Sequence, residues 1–276
     1  RREIELCRCW KEAGIAVKAA GFEGTPEVES AAAEDFHDAA VLIAPLSGIK
    51  SDSSVRAIFA AKKLDLTICL ERSAPGVILL AGDVASPLKE QLAQKTRLVI
   101  TGDDEELALL NAIPTAEGAI QKAMELSPVT LHGSSALIFG LGRCGRALAR
   151  ALLGLGARVT VVVRRRESAA LAYSTGLTSC DPAGAAGAVA AADFIFNTVP
   201  APLLTAALLK QVQREAVILD LATAPGGTDF AAAVELGLNA VLLPGLPGRV
   251  APRTSGRILA RVYRRLIEEA RRSEPH

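Results

Sequence analysis

The sequence predicts an α/β protein with two domains, each built on a mostly parallel sheet. Its length of 276 residues corresponds to about two domains at ~150 residues each. Apolar residues make up 50% of the chain and are mainly Ala, Val, Ile and Leu, which fill sheets that are buried on both faces. Strand-sized apolar runs alternate with helical patterns, and this order of elements is typical of parallel sheets covered by helices.

Charge and composition argue against several classes of partner. Lys and Arg number 31 and Asp and Glu 30, so the formal net charge is +1 and we expect no nucleic-acid partner. The longest apolar runs, such as Val159–Val163, are far shorter than the ~20 residues of a membrane-spanning helix, so we expect no membrane partner. Five cysteines are scattered along the chain, and Cys7 and Cys9 have no second pair nearby to complete a zinc site. We therefore expect reduced thiols, no bound metal and a cytoplasmic location.

We assign residues 1–127 to an N-terminal α/β domain that contacts substrate or a partner. Its predicted strands are Ile15–Phe22, Ala40–Leu46, Leu66–Leu70, Val77–Leu80 and Leu98–Thr101. The chain opens at Arg1 in a helix-like pattern, whereas a domain of this kind begins with a strand, so we expect that a first strand is missing. Pro114 and Glu117 suit the first turn of a helix that runs to about Leu126, and this helix is predicted to connect the two domains.

The α/β pattern restarts after Ser134, and we assign residues 128–253 to a second domain. A strand at Ala136–Phe139, a helix at Cys144–Leu155 and a strand at Arg158–Val163 follow one another there. Further strands are predicted at Asp193–Thr198, Ala216–Leu221 and Ala240–Leu243. A helix over residues 254–272, apolar on one face and Arg-rich on the other, is predicted to pack back on the first domain.

The most specific local motif is a glycine-rich loop between the first strand and helix of the second domain. It reads Gly140-Leu141-Gly142-Arg143-Cys144-Gly145, and a second strand follows the helix, as a dinucleotide-binding unit requires. Gly140 permits the tight turn, Gly142 lets the backbone approach a pyrophosphate, and Gly145 allows close packing of the helix. The motif predicts that the second domain binds a dinucleotide, with Arg143 and Cys144 beside its phosphates. Because both halves of the chain share the alternation of strands and helices, we expect both domains to be Rossmann-like.

The end of the second strand distinguishes NAD from NADP. An NAD site places Asp or Glu there to accept hydrogen bonds from the ribose, but this sequence has Arg164-Arg165-Arg166. A guanidinium group pairs with a 2′-phosphate, which a carboxylate would repel. We therefore predict NADP as the cofactor, with Arg164 as the leading contact and Arg165 as the second.

Ligands of open parallel sheets bind beyond the carboxyl ends of the strands. In the second domain, short segments rich in Pro, Gly or small residues follow three strands and are predicted to hold the nicotinamide and its ribose. These cofactor-binding residues are Asn197, Thr198, Val199, Pro200, Leu221, Ala222, Pro244 and Gly245. His132 precedes the first strand of this domain, so we assign it a structural role at the opposite edge.

The same rule selects candidates for substrate binding. Ser47 and Gly48 follow a strand of the first domain, and Thr115 and Glu117 lie at the predicted start of the connecting helix. A basic and hydroxyl-rich segment follows the last strand and predicts an anion site suited to a carboxylated substrate. Its substrate-binding residues are Arg249, Arg253, Thr254 and Ser255.

Several longer segments resemble the dipicolinate synthase A-subunit family of spore-forming bacteria. Besides the glycine loop, they are Ile113–Gly118, Leu131–Ser134, Leu219–Ala222, Pro225–Phe230, Pro244–Gly248, Ala251-Pro252 and Ser255-Gly256. The resemblance covers about Asn111 to Leu266 well and the first hundred residues loosely. In this family a strand and a Gly-Asp turn precede the initial Arg, which agrees with a missing first strand here.

The resemblance implies an NADP-dependent oxidoreductase. It would oxidise a dihydrodipicolinate-type intermediate of the lysine pathway to dipicolinate, the spore chelator, in the cytoplasm of the sporulating mother cell. The implied partners are a small dicarboxylate substrate and the flavoprotein-like B-subunit of dipicolinate synthase, and we also expect a homo-oligomer. Glu117 is our candidate for the general acid or base that removes water or a ring proton.

Two other functions fit the same pattern. One is an NADP-dependent dehydrogenase of the 2-hydroxyacid or shikimate type, although no catalytic His or Lys–Asp pair is evident at a suitable place. The other is a non-catalytic dinucleotide-sensing subunit that regulates a partner, which the lack of a clear acid–base pair keeps open.

Overall fold

The computed structural model describes residues 1–32, 35–37, 39–55, 57, 60 and 64–273. The chain forms two compact units, which divide differently from the predicted domains. Unit 1 comprises Arg1–Leu110 and Pro252–His276, and unit 2 comprises Asn111–Ala251. Within the described part of the chain, no helix combines the length and apolar character needed to cross a membrane.

Unit 1 contains a small parallel sheet with helices around it. Its elements are α1 (Arg2–Glu12), β1 (Val41–Ile43), β2 (Ser54–Val55), β3 (Leu64–Asp65), α2 (Leu66–Arg72), β4 (Ile78–Ala81), α3 (Ser86–Lys95), β5 (Arg97–Ile100) and the first part of α4 (Glu105–Leu126). Strands β1, β4 and β5 pair in that order and in parallel, and β2 and β3 form a separate antiparallel pair. The alternation of strands and helices explains this parallel arrangement.

Unit 2 is a doubly wound sheet of six parallel strands. Its elements are β6 (Ser135–Phe139), α5 (Arg143–Gly154), β7 (Arg158–Val162), α6 (Arg166–Ser174), β8 (Thr178–Cys180), α7 (Ala185–Ala190), β9 (Phe194–Asn197), α8 (Ala206–Leu209), β10 (Val217–Asp220), α9 (Phe230–Glu235), β11 (Asn239–Leu242) and α10 (Leu246–Val250). The strand order is β11-β10-β9-β6-β7-β8, and every pairing is parallel. The predicted fold class, α/β with mostly parallel sheets, is confirmed.

The last helix, α11 (Pro252–Arg272), belongs to unit 1 and packs against α1. The two helices approach so closely that a Cβ on Gly256 would collide with Cβ of Glu5. Buried Leu259 and Tyr263 join one core cluster with Leu6 of α1. The amphipathic pattern of α11 explains this packing, because its apolar face needs a core to cover it.

The boundary predicted at residue 127 is wrong, because one helix crosses from unit 1 to unit 2. Helix α4 begins after Asp104, whose Oδ1 accepts a hydrogen bond from the N–H of Leu107 at 2.8 Å as an N-cap. Its first turns contribute Leu107 to the core of unit 1, whereas Ala119 and Ala123 lie in the core of unit 2. Pro114 therefore lies inside the helix rather than at its start.

Two predicted strands of unit 1 are also wrong. Residues 66–70 form part of helix α2, because Oδ1 of Asp65 caps it by accepting a hydrogen bond from Thr67 N–H at 2.8 Å. A short apolar run fits a helix or a strand equally well, and the cap decides between them here. Residues 15–22 form no strand, and only a single bridge joins Ala19 to Ser30 there.

Candidate dinucleotide-binding site

The predicted cofactor residues of unit 2 follow strand ends that lie side by side. In the sheet register, Phe139 of β6 pairs with Val162 of β7 and with Asn197 of β9. Asp220 of β10 pairs in turn with Asn197 and with Leu242 of β11. The loops after these strands therefore emerge along one edge, which is where ligands of such sheets bind.

The glycine-rich loop has the geometry that a phosphate-binding turn requires. Gly140 has a φ of +91°, which an L side chain rarely adopts, and a Cβ there would lie 2.6 Å from Cγ2 of Val199. A Cβ on Gly145 would collide with the carbonyl oxygen of Gly140, so the helix packs directly on the turn. Gly142, by contrast, is exposed, and a Cβ there would meet no atom within 4 Å. The open side of the loop is thus the side on which a ligand can approach.

The loop leads into the first turn of α5, whose N–H groups have no partners within the helix. Arg143 is exposed on this turn and Cys144 is half-buried. Burial raises the pKa of the Cys144 thiol despite the nearby positive charge of Arg143, so the thiol stays protonated at neutral pH. Cys144 is therefore suited to packing beneath the loop rather than to nucleophilic chemistry.

The turn after β9 packs against the glycine loop. Oγ1 of Thr198 donates a hydrogen bond to the carbonyl oxygen of Phe139 at 2.8 Å, which links the ends of β9 and β6. Thr198 and Val199 are half-buried, and Pro200 is exposed at the edge of the sheet. These positions keep Thr198, Val199 and Pro200 as candidate cofactor contacts.

The prediction that Asn197 contacts the cofactor is wrong in this structure. Its side chain is 0% exposed, and Nδ2 donates to Oδ1 of Asp220 and to the carbonyl oxygen of Val199, both at 3.0 Å. Its Oδ1 accepts a hydrogen bond from Val199 N–H at 3.1 Å. Asn197 therefore supports the turn from inside the fold, where it cannot reach a ribose.

The sequence reasoning missed Asp220, which is the partner of Asn197. This carboxylate is 0% exposed and accepts hydrogen bonds from Ala222 N–H, Gly227 N–H and the hydroxyl of Thr228 at 2.7–3.0 Å. The available signal was an acidic residue at the end of an otherwise apolar strand. A charged group at that position is buried only when hydrogen bonds satisfy it.

Arg164 and Arg165 follow β7, the strand next to β6 and its glycine loop, with Val163 between the strand and Arg164. Both side chains are exposed, and neither forms an ion pair with another described residue. Arg165 is also the N-cap residue of α6. Two uncommitted guanidinium groups at this strand end can receive an anionic substituent on the adenosine ribose.

The remaining predicted cofactor residues follow β10 and β11. Leu221 is half-buried and Ala222 buried, so a ligand can reach them chiefly through the backbone or the Leu221 side chain. Pro244 and Gly245 are exposed, and Gly245 has a φ of +66° as the N-cap of α10. Together with the open face of Gly142, these exposed loop segments fit a dinucleotide along the carboxyl edge of the sheet.

Three candidate substrate residues lie in unit 2 on neighbouring helices. Thr115 is half-buried and its Oγ1 donates to the carbonyl oxygen of Asn111 at 2.7 Å, whereas Glu117 and Arg249 are exposed. Gly118 allows α4 and α10 to approach closely, because a Cβ at this position would lie 3.0 Å from Cγ2 of Val250. Helices α4 and α10 therefore bring the segments of Glu117 and Arg249 next to each other.

The substrate residues predicted in unit 1 differ in accessibility. Ser47 is exposed, but Gly48 is buried, and its N–H donates to the carbonyl oxygen of Pro45 at 2.9 Å. Gly48 has a φ of +83°, and a Cβ there would lie 2.6 Å from the carbonyl oxygen of Asp83. The prediction of a direct Gly48 contact is therefore wrong, because that residue holds two strand-end turns together.

At the start of α11, Arg253 and Thr254 are exposed, whereas Ser255 is 0% exposed. The Ser255 hydroxyl has no hydrogen-bond partner among the described residues. A buried hydroxyl does not present itself to a substrate, so the assignment of Ser255 as a contact is wrong in this structure. Arg253 lies near the buried Glu5, whose pKa is lowered by hydrogen bonding to Arg8 and by the charges of Arg8, Arg257 and Arg253.

His132 lies where the sequence places it, in the turn that precedes β6 at the amino edge of the sheet. Its ring covers Gly156, since a Cβ on that glycine would collide with Nδ1 of His132. The predicted placement away from the carboxyl edge is confirmed. Within the described ranges, no three His, Cys, Asp or Glu side chains are grouped closely enough to hold a metal ion.

Comparison with known families agrees with this division of the chain. The family model for the N-terminal domain of the dipicolinate synthase A-subunit matches residues 1–102. The family model for the D-isomer specific 2-hydroxyacid dehydrogenase NAD-binding domain matches residues 109–227, which contain the glycine loop. A nicotinamide dinucleotide is therefore the cofactor class of unit 2, and the chain is an oxidoreductase.

Individual relatives extend the similarity over the whole chain. The dipicolinate synthase A-subunit of Bacillus subtilis is 32% identical over 281 aligned positions, which cover 99% of this chain and 95% of that protein. The crystal structure of the dipicolinate synthase A-subunit from Bacillus halodurans matches with a TM-score of 0.87 and 31% identity over 99% of this chain and 95% of its own. L-alanine dehydrogenase, at 18% identity, a TM-score of 0.63 and coverage of 98% and 85%, shares the fold alone. The chain belongs to the dipicolinate synthase A-subunit family.

Proposed function

We propose that this protein oxidises a dihydrodipicolinate-type compound to dipicolinate by hydride transfer to NADP. The observation that carries the proposal is the 32% identity to the Bacillus subtilis dipicolinate synthase A-subunit over almost the whole of both chains. The glycine loop supports dinucleotide binding, and the exposed Arg164 and Arg165 support a 2′-phosphate on its ribose.

The chemistry of the substrate suits the candidate residues. The substrate carries two carboxylates, and a carboxylate pairs well with a guanidinium group. The exposed Arg249 of unit 2 and the exposed Arg253 of unit 1 are each a candidate for such a pair. Thr115 uses its hydroxyl proton within α4, so it contributes as an acceptor rather than as a donor. Ser47 and Thr254 are exposed and can add hydroxyl contacts.

The proposed reaction removes one hydride and one proton from the ring. When bound, the nicotinamide accepts the hydride with its electron pair, and the ring becomes aromatic, which makes the step favourable. The proton passes to a base, for which the exposed Glu117 is our candidate. If the substrate still carries a hydroxyl, its loss as water precedes the oxidation. The residues of this chain would then act mainly by positioning substrate against cofactor.

The family also suggests the cellular setting. Membership of the A-subunit family supports a second type of protein in the complex, and we propose that the B-subunit of dipicolinate synthase is this partner. We further propose a homo-oligomer that acts in the cytoplasm of the sporulating mother cell. No nucleic-acid partner is expected, because the net charge is only +1.

Two alternatives are tested by the same experiment. An NADP-dependent 2-hydroxyacid or shikimate-type dehydrogenase shares the architecture, as the family match of residues 109–227 shows for the NAD-binding domain. A non-catalytic dinucleotide-sensing subunit would need only the binding site. Neither alternative accounts for the full-length similarity to the dipicolinate synthase A-subunit.

The decisive experiment follows nicotinamide reduction and dipicolinate absorbance together. Purified protein is mixed with NADP and freshly generated dihydrodipicolinate, with and without the B-subunit. Equal rates of the two signals are expected, and turnover without the B-subunit would show that this chain suffices. Dinucleotide binding without turnover in either mixture would contradict the proposal and favour the sensing role. Turnover of a 2-hydroxyacid or of shikimate instead would favour the dehydrogenase alternative.

A further inference from the structure

We infer that Asp220 is a positioning residue for the dinucleotide: its buried carboxylate holds the loops after β9 and β10 and, through them, the glycine loop. The inference rests on the dinucleotide site of the proposed function, but it requires neither a particular substrate nor a choice between NAD and NADP.

The carboxylate is the centre of a closed hydrogen-bond network. Oδ1 accepts from Asn197 Nδ2 and Ala222 N–H, both at 3.0 Å. Oδ2 accepts from Gly227 N–H at 2.8 Å and from the Thr228 hydroxyl at 2.7 Å. Asn197 ends β9 and the other three donors belong to the loop after β10, so one side chain fixes both strand ends relative to each other.

The loop after β10 packs closely around the Asp220 carboxylate and the Asn197 amide. A Cβ on Gly226 would lie 2.9 Å from Oδ2 of Asp220, and a Cβ on Gly227 would lie 2.6 Å from Nδ2 of Asn197. Asp220 forms no ion pair within the described part of the chain, so hydrogen bonds alone compensate its burial. An amide at this position would direct an N–H₂ group at two of the four donors, and the loops would have to separate.

The contacts continue from Asp220 to the phosphate-binding turn. Oδ1 of Asn197, whose amide is held by Asp220, accepts a hydrogen bond from Val199 N–H at 3.1 Å. Val199 in turn packs against Gly140, because a Cβ on that glycine would lie only 2.6 Å from Cγ2 of Val199. A displacement of the Asp220 network therefore changes the contact between Val199 and Gly140. Because phosphate binding depends on the exact direction of backbone N–H groups, such a shift weakens dinucleotide binding.

The same sheet offers a matched control at its other edge. Oδ2 of Asp193 accepts a hydrogen bond from Ser135 N–H at 2.7 Å, so this carboxylate also ties two strands together. Asp193 precedes β9 at the amino edge, remote from the strand ends that bind the ligand. If such a carboxylate affected dinucleotide affinity only by stabilising the sheet, Asp193→Asn would lower that affinity as well as Asp220→Asn.

The test compares dissociation constants for NADP and for NAD, measured by calorimetry, with thermal midpoints and circular dichroism. We expect Asp220→Asn to weaken both dinucleotides by about tenfold or more, as for a lost hydrogen bond to a charged group. Asp193→Asn is expected to lower the thermal midpoint and to leave both dissociation constants within about twofold of the original. Equal weakening by the two variants, or a folded Asp220→Asn protein with unchanged affinity, would overturn the inference.

A milder pair of variants keeps the test decisive if Asp220→Asn does not fold. Thr228→Val removes only the hydroxyl that donates to Oδ2, whereas Thr228→Ser keeps a hydroxyl. We expect a several-fold loss of dinucleotide affinity in the first and near-original affinity in the second. Unchanged affinity in Thr228→Val would contradict the inference. Because binding is measured without substrate, absence of turnover in the original protein would count against the proposed reaction alone.

Discussion

Replacing Arg164 with Asp should change the preference between NADP and NAD. Arg164 is exposed, two residues beyond the end of β7, and forms no ion pair with another described residue. Its guanidinium group can therefore bind a 2′-phosphate without breaking an internal ion pair. A hydrogen bond to a charged partner contributes about 1.5–3 kcal/mol, which corresponds to roughly 10- to 150-fold in affinity. The new carboxylate adds repulsion, while Arg165 retains part of the attraction. We therefore expect the affinity of Arg164→Asp for NADP to fall about 10- to 100-fold and its affinity for NAD to fall less than about threefold.

The assay is calorimetric titration with NADP and NAD at one low ionic strength, because salt screens exposed charges beyond ~10 Å at 0.1 M. Arg158→Asp provides the control, since Arg158 is exposed at the first position of the same strand and the change in charge is identical. Arg158→Asp should lower the affinity for NADP and the affinity for NAD only slightly and by the same factor. Equal weakening of NADP and NAD by Arg164→Asp, or the same selectivity change in the control, would refute a 2′-phosphate contact at Arg164.

Three further changes test other parts of the structure. Gly145→Ala should abolish dinucleotide binding and lower the thermal midpoint, because its Cβ would collide with the Gly140 carbonyl oxygen. The control is Gly154→Ala, whose Cβ would meet no atom within 4 Å. It should raise the free energy of unfolding by about 0.4–1 kcal/mol in chemical denaturation. His132→Ala should keep turnover per folded molecule, and a large loss at unchanged folding and cofactor affinity would contradict its remote position. Burial raises the pKa of Tyr263 from 10.0 to about 12, so the unfolded chain loses this proton first and stability should fall as pH rises through this range. Tyr263→Phe should show a smaller alkaline fall in denaturation midpoints, and an unchanged fall would disprove the assignment.

The regular elements of unit 2 could be predicted because local signals agree with the tertiary structure there. The strand predicted at Ala136–Phe139 is β6, and the helix predicted at Cys144–Leu155 is α5 with ends shifted by one residue. Apart from Thr178–Cys180, the strands consist mostly of apolar residues and are bounded by turn residues, as expected for strands buried on both faces. The short strand Thr178–Cys180 was missed, because it is polar and lies at the sheet edge.

The predictions were poorer in unit 1, where short segments depend on their neighbours. The apolar run at residues 66–70 fits a strand or a helix, and the N-cap side chain of Asp65 stabilises the helix. In the same way, the Asp104 cap begins α4 well before Pro114. Pro114 predicts a helix start because proline favours first turns, where its missing N–H costs nothing. Inside α4 it removes one helix hydrogen bond, a cost that the packing of the helix outweighs. Because the helix begins earlier than predicted and crosses between the two units, the boundary lies at Leu110–Asn111 rather than at residue 127.

The sequence by itself determined the fold class, the family and the glycine loop, because these depend on patterns that neighbouring residues carry. Only the tertiary structure decided which polar side chains face a ligand. Asn197 and Ser255 share the polar character of a contact residue, yet both are 0% exposed, and Asp220, overlooked in the sequence, proved to be the centre of the strand-end network. Whether a polar group binds a ligand or another part of the fold depends on burial and on partners that are distant in sequence. Asn197 and Asp220 are 23 residues apart along the chain and meet only because β9 and β10 pair in register.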